Sequence, residues 1–340
     1  IYMELKMYYL KIYFFCFFLI LSLIKTSSAL EKKVLKIYTY DSFVSEWGPG
    51  PKLEKEFEKN CNCDLKFVGL DSSVGILGRI QIEGNKTDAD IALGLDNNLL
   101  STAKKTNLFI EHNLDVNSNG IPINFNDNIF VPFDWGYFAF VYDQNKLKKP
   151  PTSFEQIINS KDDFKIVIQD PRTSTPGLGL LLWIKSIYGD KASNVWEKLQ
   201  PKILTVTKSW WDAYSLFLDG EADMVLSYST SPAYHKIAEE KNNYAASSFT
   251  DGHYMQIEVA AITKNSKNKK LAKEFLKFIN SKKAQSIIPT TNWMYPVIKS
   301  EIPEEFSYLI KPSKNLLFPS DIVSENQKIW IKEWLNASSK

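Results

Sequence analysis

Short β-branched and aromatic runs alternate along most of the chain with segments whose apolar residues recur at helical spacing. Residues 34–40 (VLKIYTY), 64–70 (DLKFVGL) and 90–95 (DIALGL) read as strands. Between and after them, residues 52–60, 74–82 and 98–106 read as helices. A long extended apolar stretch at 129–143 (IFVPFDWGYFAFVYD) breaks the rhythm, and one reading of it is a crossing between two domains. The rhythm then restarts with strands at 164–170, 203–207 and 224–228 and a helix at 175–188. Residues 255–262 (MQIEVAAI) form a return strand, followed by helices at 268–280 and 326–335. Strands alternating with helices predict an α/β fold with mostly parallel sheets. The division expected is one lobe of residues 30–132 and 258–340 and a second of 133–257, inserted into the first.

The first 29 residues stand apart from this pattern. A short positive start, an apolar run at 13–23 and small residues ending at Ala29 read as a cleavable signal peptide. The apolar run is too short for a comfortable membrane span, so the expected location is the periplasm. Lysine and acid are interspersed and the formal net charge is only +2. No basic stripe exists for nucleic acid. The chain relies on lysine, with Arg79 and Arg172 its only arginines.

Three hydroxyl-rich loops follow predicted strands and precede predicted helices: Asp71-Ser72-Ser73, Thr173-Ser174-Thr175-Pro176-Gly177 and Ser229-Thr230-Ser231-Pro232. Ligands of open α/β sheets bind beyond the carboxyl ends of strands. A helix start offers unpaired N–H groups and partial positive charge to an anion. In the second loop Thr175 suits the N-cap, Pro176 the first helical position, and Gly177 a close approach of backbone and ligand. Beside these lie Trp47, Trp210, Trp211, Tyr234 and Trp293 in polar, turn-like contexts. Such rings suit flat or cationic groups, so loops and rings together describe a flat or cationic ligand with a phosphate or hydroxyl tail.

Enzyme signatures are absent: no nucleophile elbow, HExxH, Walker loop or GxGxxG occurs. His112, His235 and His253 show no ligand spacing, and no metal centre or cofactor is expected. Cys61 and Cys63 can pair locally in an oxidising compartment, where a bridge closes almost no loop and adds little stability.

The strings YTYDSF (38–43), WGPGP (47–51), CNC (61–63), GLDNNLL (94–100), FVPFDWGYFAFVYD (130–143), QDPRTSTPGLGLLLW (169–183), SYSTSPAYH (227–235), DGHY (251–254) and NWMYPV (292–297) cover essentially the whole chain after residue 29. They resemble the periplasmic thiamine-binding proteins of bacterial ABC importers. The resemblance implies a two-lobed type II periplasmic binding protein, with helices on both sheet faces and a ligand cleft between lobes. It further implies a monomer that takes thiamine and its mono- and diphosphates and docks on an inner-membrane ABC permease with its ATPase. The ligand tail would meet Ser72, Ser73, Ser174, Thr175, Tyr228, Ser229, Thr230 and Ser231. The rings would be gripped by Tyr40, Trp47, Trp210, Tyr234 and Trp293. Where the family often has an acidic residue followed by glycine, this chain has Ser72-Ser73, which removes a negative charge near the tail. The alternative is a thiamine-degrading transferase of the same architecture, which needs a free thiolate. An iron or polyamine carrier is disfavoured, because Tyr228 and Tyr234 are not adjacent and the loops carry hydroxyls rather than acids.

Overall fold

A computed structural model of the chain describes Met3 and residues 32–339. The expected signal peptide lies outside the described residues. The chain divides into a short amino-terminal unit, Ile1–Lys33, and a compact unit, Val34–Lys340, and all that follows concerns the latter. Among the described residues no helix is long and apolar enough to cross a membrane.

The compact unit is an α/β fold built on a mixed sheet. The strands are β1 (Lys33–Tyr40), β2 (Cys63–Leu70), β3 (Ile91–Asp96), β4 (Phe109–Ile110), β5 (Val131–Asp143), β6 (Ile166–Gln169), β7 (Ile203–Thr207), β8 (Met224–Tyr228), β9 (Tyr244–Ala246), β10 (His253–Thr263), β11 (Tyr295–Pro296) and β12 (Asn315–Leu316). The eight principal strands run in the order β2-β1-β3-β10-β5-β8-β6-β7. Pairing is parallel for β1/β3, β6/β8 and β6/β7. β10 and β5 are antiparallel to each other and to their outer neighbours β3 and β8. They also carry nearly unbroken burial, as expected of strands covered on both faces. The extended stretch at 129–143 is therefore one of two long strands at the middle of the sheet.

Helices form where the spacing predicts them. In the Lys269–Ile279 helix the buried positions Leu271, Ala272, Phe275, Leu276 and Ile279 make one stripe that packs on β10. Burying Phe275 and Leu276 contributes about 1.5–3 kcal/mol each. Gly84 and Gly189, both at positive φ, end the Ser73–Glu83 and Thr175–Tyr188 helices. The carboxy-terminal helix is longer than its periodic core, running Ser320–Ser338. It packs on the Leu100–Lys105 helix, which follows β3, and on the Ala192–Leu199 helix, which lies between β6 and β7 in the chain. Trp334 meets Trp196 edge-on, and Glu333 accepts from Lys185 at 2.8 Å.

Candidate functional site

The three hydroxyl loops emerge from the carboxyl ends of β2, β6 and β8 and lead into the Ser73–Glu83, Thr175–Tyr188 and Ser231–Ala238 helices. Residues from all three line a cavity of about 400 Å³, within the range of small-molecule sites. The first two loops touch. Ser72 Oγ donates to the Thr173 carbonyl at 2.6 Å, and Thr175 Oγ1 donates to Ser73 Oγ at 3.0 Å. Ser73 Oγ in turn donates to the Gly94 carbonyl at 2.5 Å.

The capping differs from expectation by one residue. Ser174, not Thr175, is the N-cap, and its hydroxyl caps nothing; Thr175 and Pro176 occupy the first two helical positions. Thr230 likewise precedes the Ser231–Ala238 helix without a side-chain cap bond. Only Ser72 caps conventionally, accepting from the Gly75 N–H. The hydroxyls of Ser72, Ser73 and Thr175 thus bind the loops to each other. The Thr175 and Gly177 N–H groups, in the first helical turn, keep no intrahelical partner and can face an anion. The role read for Gly177 is also corrected. A Cβ there would stand 2.5 Å from the Gln169 carbonyl oxygen, so the glycine permits close packing of helix on strand end.

Aromatic rings close the other walls. Trp210 stacks on Tyr214 with centroids 5.1 Å apart and donates Nε1–H to Ser227 Oγ at 2.8 Å. Tyr234 and Trp293 meet edge-to-face at 5.2 Å. Trp293 has a φ of 57°, rare for so bulky a residue. Trp47 and Trp211, both about half exposed, approach at 5.7 Å. Behind the wall His235 links Tyr214 Oη (2.8 Å) to Glu239 (2.7 Å), and Tyr234 Oη donates to the same Glu239 at 3.2 Å.

Of the residues named from sequence, Tyr40, Trp47, Ser72, Ser73, Ser174, Thr175, Trp210, Tyr228, Ser231, Tyr234 and Trp293 line the cavity. Ser229 and Thr230 sit behind its wall. Both are fully buried; the Ser229 N–H donates to the Tyr137 carbonyl, and the Thr230 hydroxyl donates to Met294 Sδ at 3.7 Å. Arg79 and Arg172 are engaged locally with Glu83 and Asp170 and do not line it. Asp71 does, and pairs with Lys208 at 2.5 Å.

Glu258, Asn292, Tyr214, Ser42 and Met294 also line the cavity and were not singled out by sequence. Glu258 accepts from Tyr40 Oη at 2.7 Å, and Asn292 Nδ2 donates to Tyr40 Oη at 2.8 Å and to Asp134 Oδ2 at 2.6 Å. Burial, reinforced by nearby carboxylates, holds the Tyr40 and Tyr228 hydroxyls well above the usual phenol range. Cys61 and Cys63 are joined in a disulfide and neither lines the cavity. Among the described residues no free thiol stands at the site, which removes the nucleophile that the transferase alternative requires.

Residues 49–286 match the family described as bacterial extracellular solute-binding protein. The chain belongs to this family. The thiamine-binding periplasmic protein of Escherichia coli K12 is 51% identical over 94% of this chain and 98% of its own length. That of Brucella melitensis is 49% identical over 96% and 98%. A solved structure of a periplasmic thiamin binding protein superposes with a TM-score of 0.89 at 52% identity, covering 91% of this chain and 97% of that one. As a solute-binding protein of the type II periplasmic kind, the molecule serves transport rather than catalysis.

Proposed function

We propose that this solute-binding protein captures thiamine, together with its mono- and diphosphate, in the periplasm and delivers it to an inner-membrane ABC permease with its ATPase. One observation carries the reading. A cavity with rings on its walls and helix-start loops at one end occurs in a chain half identical, end to end, to thiamine-binding periplasmic proteins. The thiazolium and pyrimidine rings lie among Tyr40, Trp47, Trp210, Tyr234 and Trp293. The hydroxyethyl or phosphate tail meets Ser72, Ser73, Ser174, Thr175 and Ser231 and the free N–H groups beside them. The protein acts as a monomer, is exported by a cleaved signal peptide ending at Ala29, and needs no cofactor.

The lobes are residues 30–132 with 258–340, and 133–257, closing over the ligand about β5 and β10. What supports this division is that, among the described residues, these two long strands alone join the β2-β1-β3 side of the sheet to the β8-β6-β7 side. The test is calorimetric titration with thiamine and its two phosphates, alongside tryptophan emission. A dissociation constant at or below about 1 μM with quenched emission is expected. Absence of both heat and quench with all three ligands sinks the proposal.

A further inference from the structure

Two acids that no loop or ring signature foretells stand at the cavity, Glu258 lining it and Asp134 buried beside Glu258. Glu258 on β10 and Asp134 on β5 are cross-strand partners, so their side chains leave the same sheet face side by side. Asp134 is 0% and Glu258 6% exposed. Their outer oxygens are provided with donors. Tyr40 Oη reaches Glu258 Oε2 at 2.7 Å, Gln256 Nε2 reaches Glu258 Oε1 at 2.9 Å, and Asn292 Nδ2 reaches Asp134 Oδ2 at 2.6 Å. Asp134 Oδ1, wholly buried, receives no N–H or O–H from the protein.

The groups acting on this pair come from every neighbouring element: Tyr40 on β1, Asp96 on β3, Tyr228 on β8 and Asn292 beyond the last central strand. All are acids, phenols or amides. Among the described residues no lysine, arginine or histidine acts on either carboxyl. Two facing buried carboxylates without a cation cannot both stay ionised, and a proton on one gives the unmet oxygen of the other its donor. Burial first, then the neighbouring acid, pushes Glu258 well above the usual carboxylate range, and burial pushes Asp134 upward as well.

We propose that Asp134 and Glu258 share one proton in the empty cavity and release it when a cationic heteroaromatic ring seats against Glu258, making the pair the charge-selecting floor of the site. This deepens the thiamine reading and rests on it. A fixed positive charge does for the pair what the proton did, so the proton passes to the buffer. The sign follows. The empty protein holds this proton to higher pH than the complex does, so between the two pKa values affinity rises with pH. It levels once the empty pair has itself lost the proton.

The experiment is calorimetric titration of thiamine into the whole protein at about pH 7, in phosphate and in Tris, whose ionisation enthalpies differ. The expected result is release of between about 0.3 and about 1 proton per thiamine bound, and an affinity that climbs from about pH 6 to about pH 8. Glu258→Gln abolishes both and weakens thiamine by about tenfold or more. Asp134→Asn, checked for folding by its melting curve, serves if that variant does not fold. Equal heats in both buffers with pH-independent affinity overturn the proposal, as does proton release that persists in the variants. A wild-type protein that binds no thiamine at all overturns the functional reading instead, so the two failures are distinct.

Discussion

Gly94 couples the two ends of the cavity, and replacing it with alanine is a direct test of that coupling. Its φ of 96° is a conformation L side chains rarely adopt, which makes alanine there cost about 1–3 kcal/mol. A Cβ would also stand 2.5 Å from two atoms of the Tyr40 ring. Forcing that ring aside in a packed wall adds about 1–3 kcal/mol. Together the loss is about 2–6 kcal/mol, which at about 2 °C per kcal/mol lowers the melting temperature by roughly 4–12 °C. The functional loss follows from the same geometry. A displaced Tyr40 gives up its hydrogen bonds to Glu258 and Asn292, and a shifted Gly94 carbonyl loosens Ser73. Each such bond contributes about 1 kcal/mol, so affinity should fall by roughly tenfold to a hundredfold. Thermal melts and thiamine titration of the surviving folded fraction read the two effects separately. Gly78→Ala is the control, because a Cβ there meets nothing within 4 Å and lies inside a helix; it should leave stability equal or raise it by about 0.5–1 kcal/mol. If Gly94→Ala melts and binds like the parent, the backbone does not hold Tyr40 in place and the reasoning is wrong.

Trp210→Ala should weaken thiamine roughly three- to thirtyfold by removing about 0.5–2 kcal/mol of ring–cation attraction, with emission quenching by thiamine reduced; unchanged affinity would take Trp210 off the ring-binding wall. Lys208→Ala leaves the Asp71 carboxylate unneutralised beside the tail loops. Thiamine diphosphate should therefore lose more affinity than thiamine while the melting temperature stays put, and an equal loss for both ligands would refute that placement of the tail. His253 donates Nδ1–H to the Phe138 carbonyl and accepts the Phe249 N–H at Nε2, and burial lowers its pKa from 6.5 to about 4. Because this folded value is depressed, the unfolded chain binds the proton first as pH falls. Up to about 3 kcal/mol of stability present above pH 6.5 should thus be lost on the way down to about pH 4. A ring titrating near 6.5 in histidine NMR would falsify that account.

The helices and strands were legible because their signals are local. The Thr175–Tyr188 helix and the strands Ile203–Thr207 and Met224–Tyr228 have the bounds that apolar periodicity and turn residues indicate. What periodicity misjudged was capping. It placed Thr175 at the N-cap because threonine, proline and glycine in that order fit a helix start. The chain instead puts Ser174 at the N-cap and uses the Thr175 hydroxyl to reach Ser73, over a hundred positions away. A contact of that sequence separation leaves no local trace. Gly177 was misread for the same reason, since the backbone it accommodates belongs to the end of the preceding strand.

The cavity floor was illegible for a deeper reason. Hydroxyl loops announce themselves by following a strand and preceding a helix, but nothing in the spacing of residues 134, 258 and 292 relates them. They meet because β5 and β10 pair antiparallel in the register that sets Asp134 opposite Glu258, and because a loop carrying Asn292 returns across both. A one-residue slip of that register would put the two carboxyls on opposite sheet faces. It follows that the two ends of the site answer to different kinds of change. Substitutions within the loops alter which tail is held, a matter of a few donors and one carboxylate. Selection of the ring's charge is set by strand register, and it should change only when Asp134, Glu258 or the amide and phenol that orient them are altered.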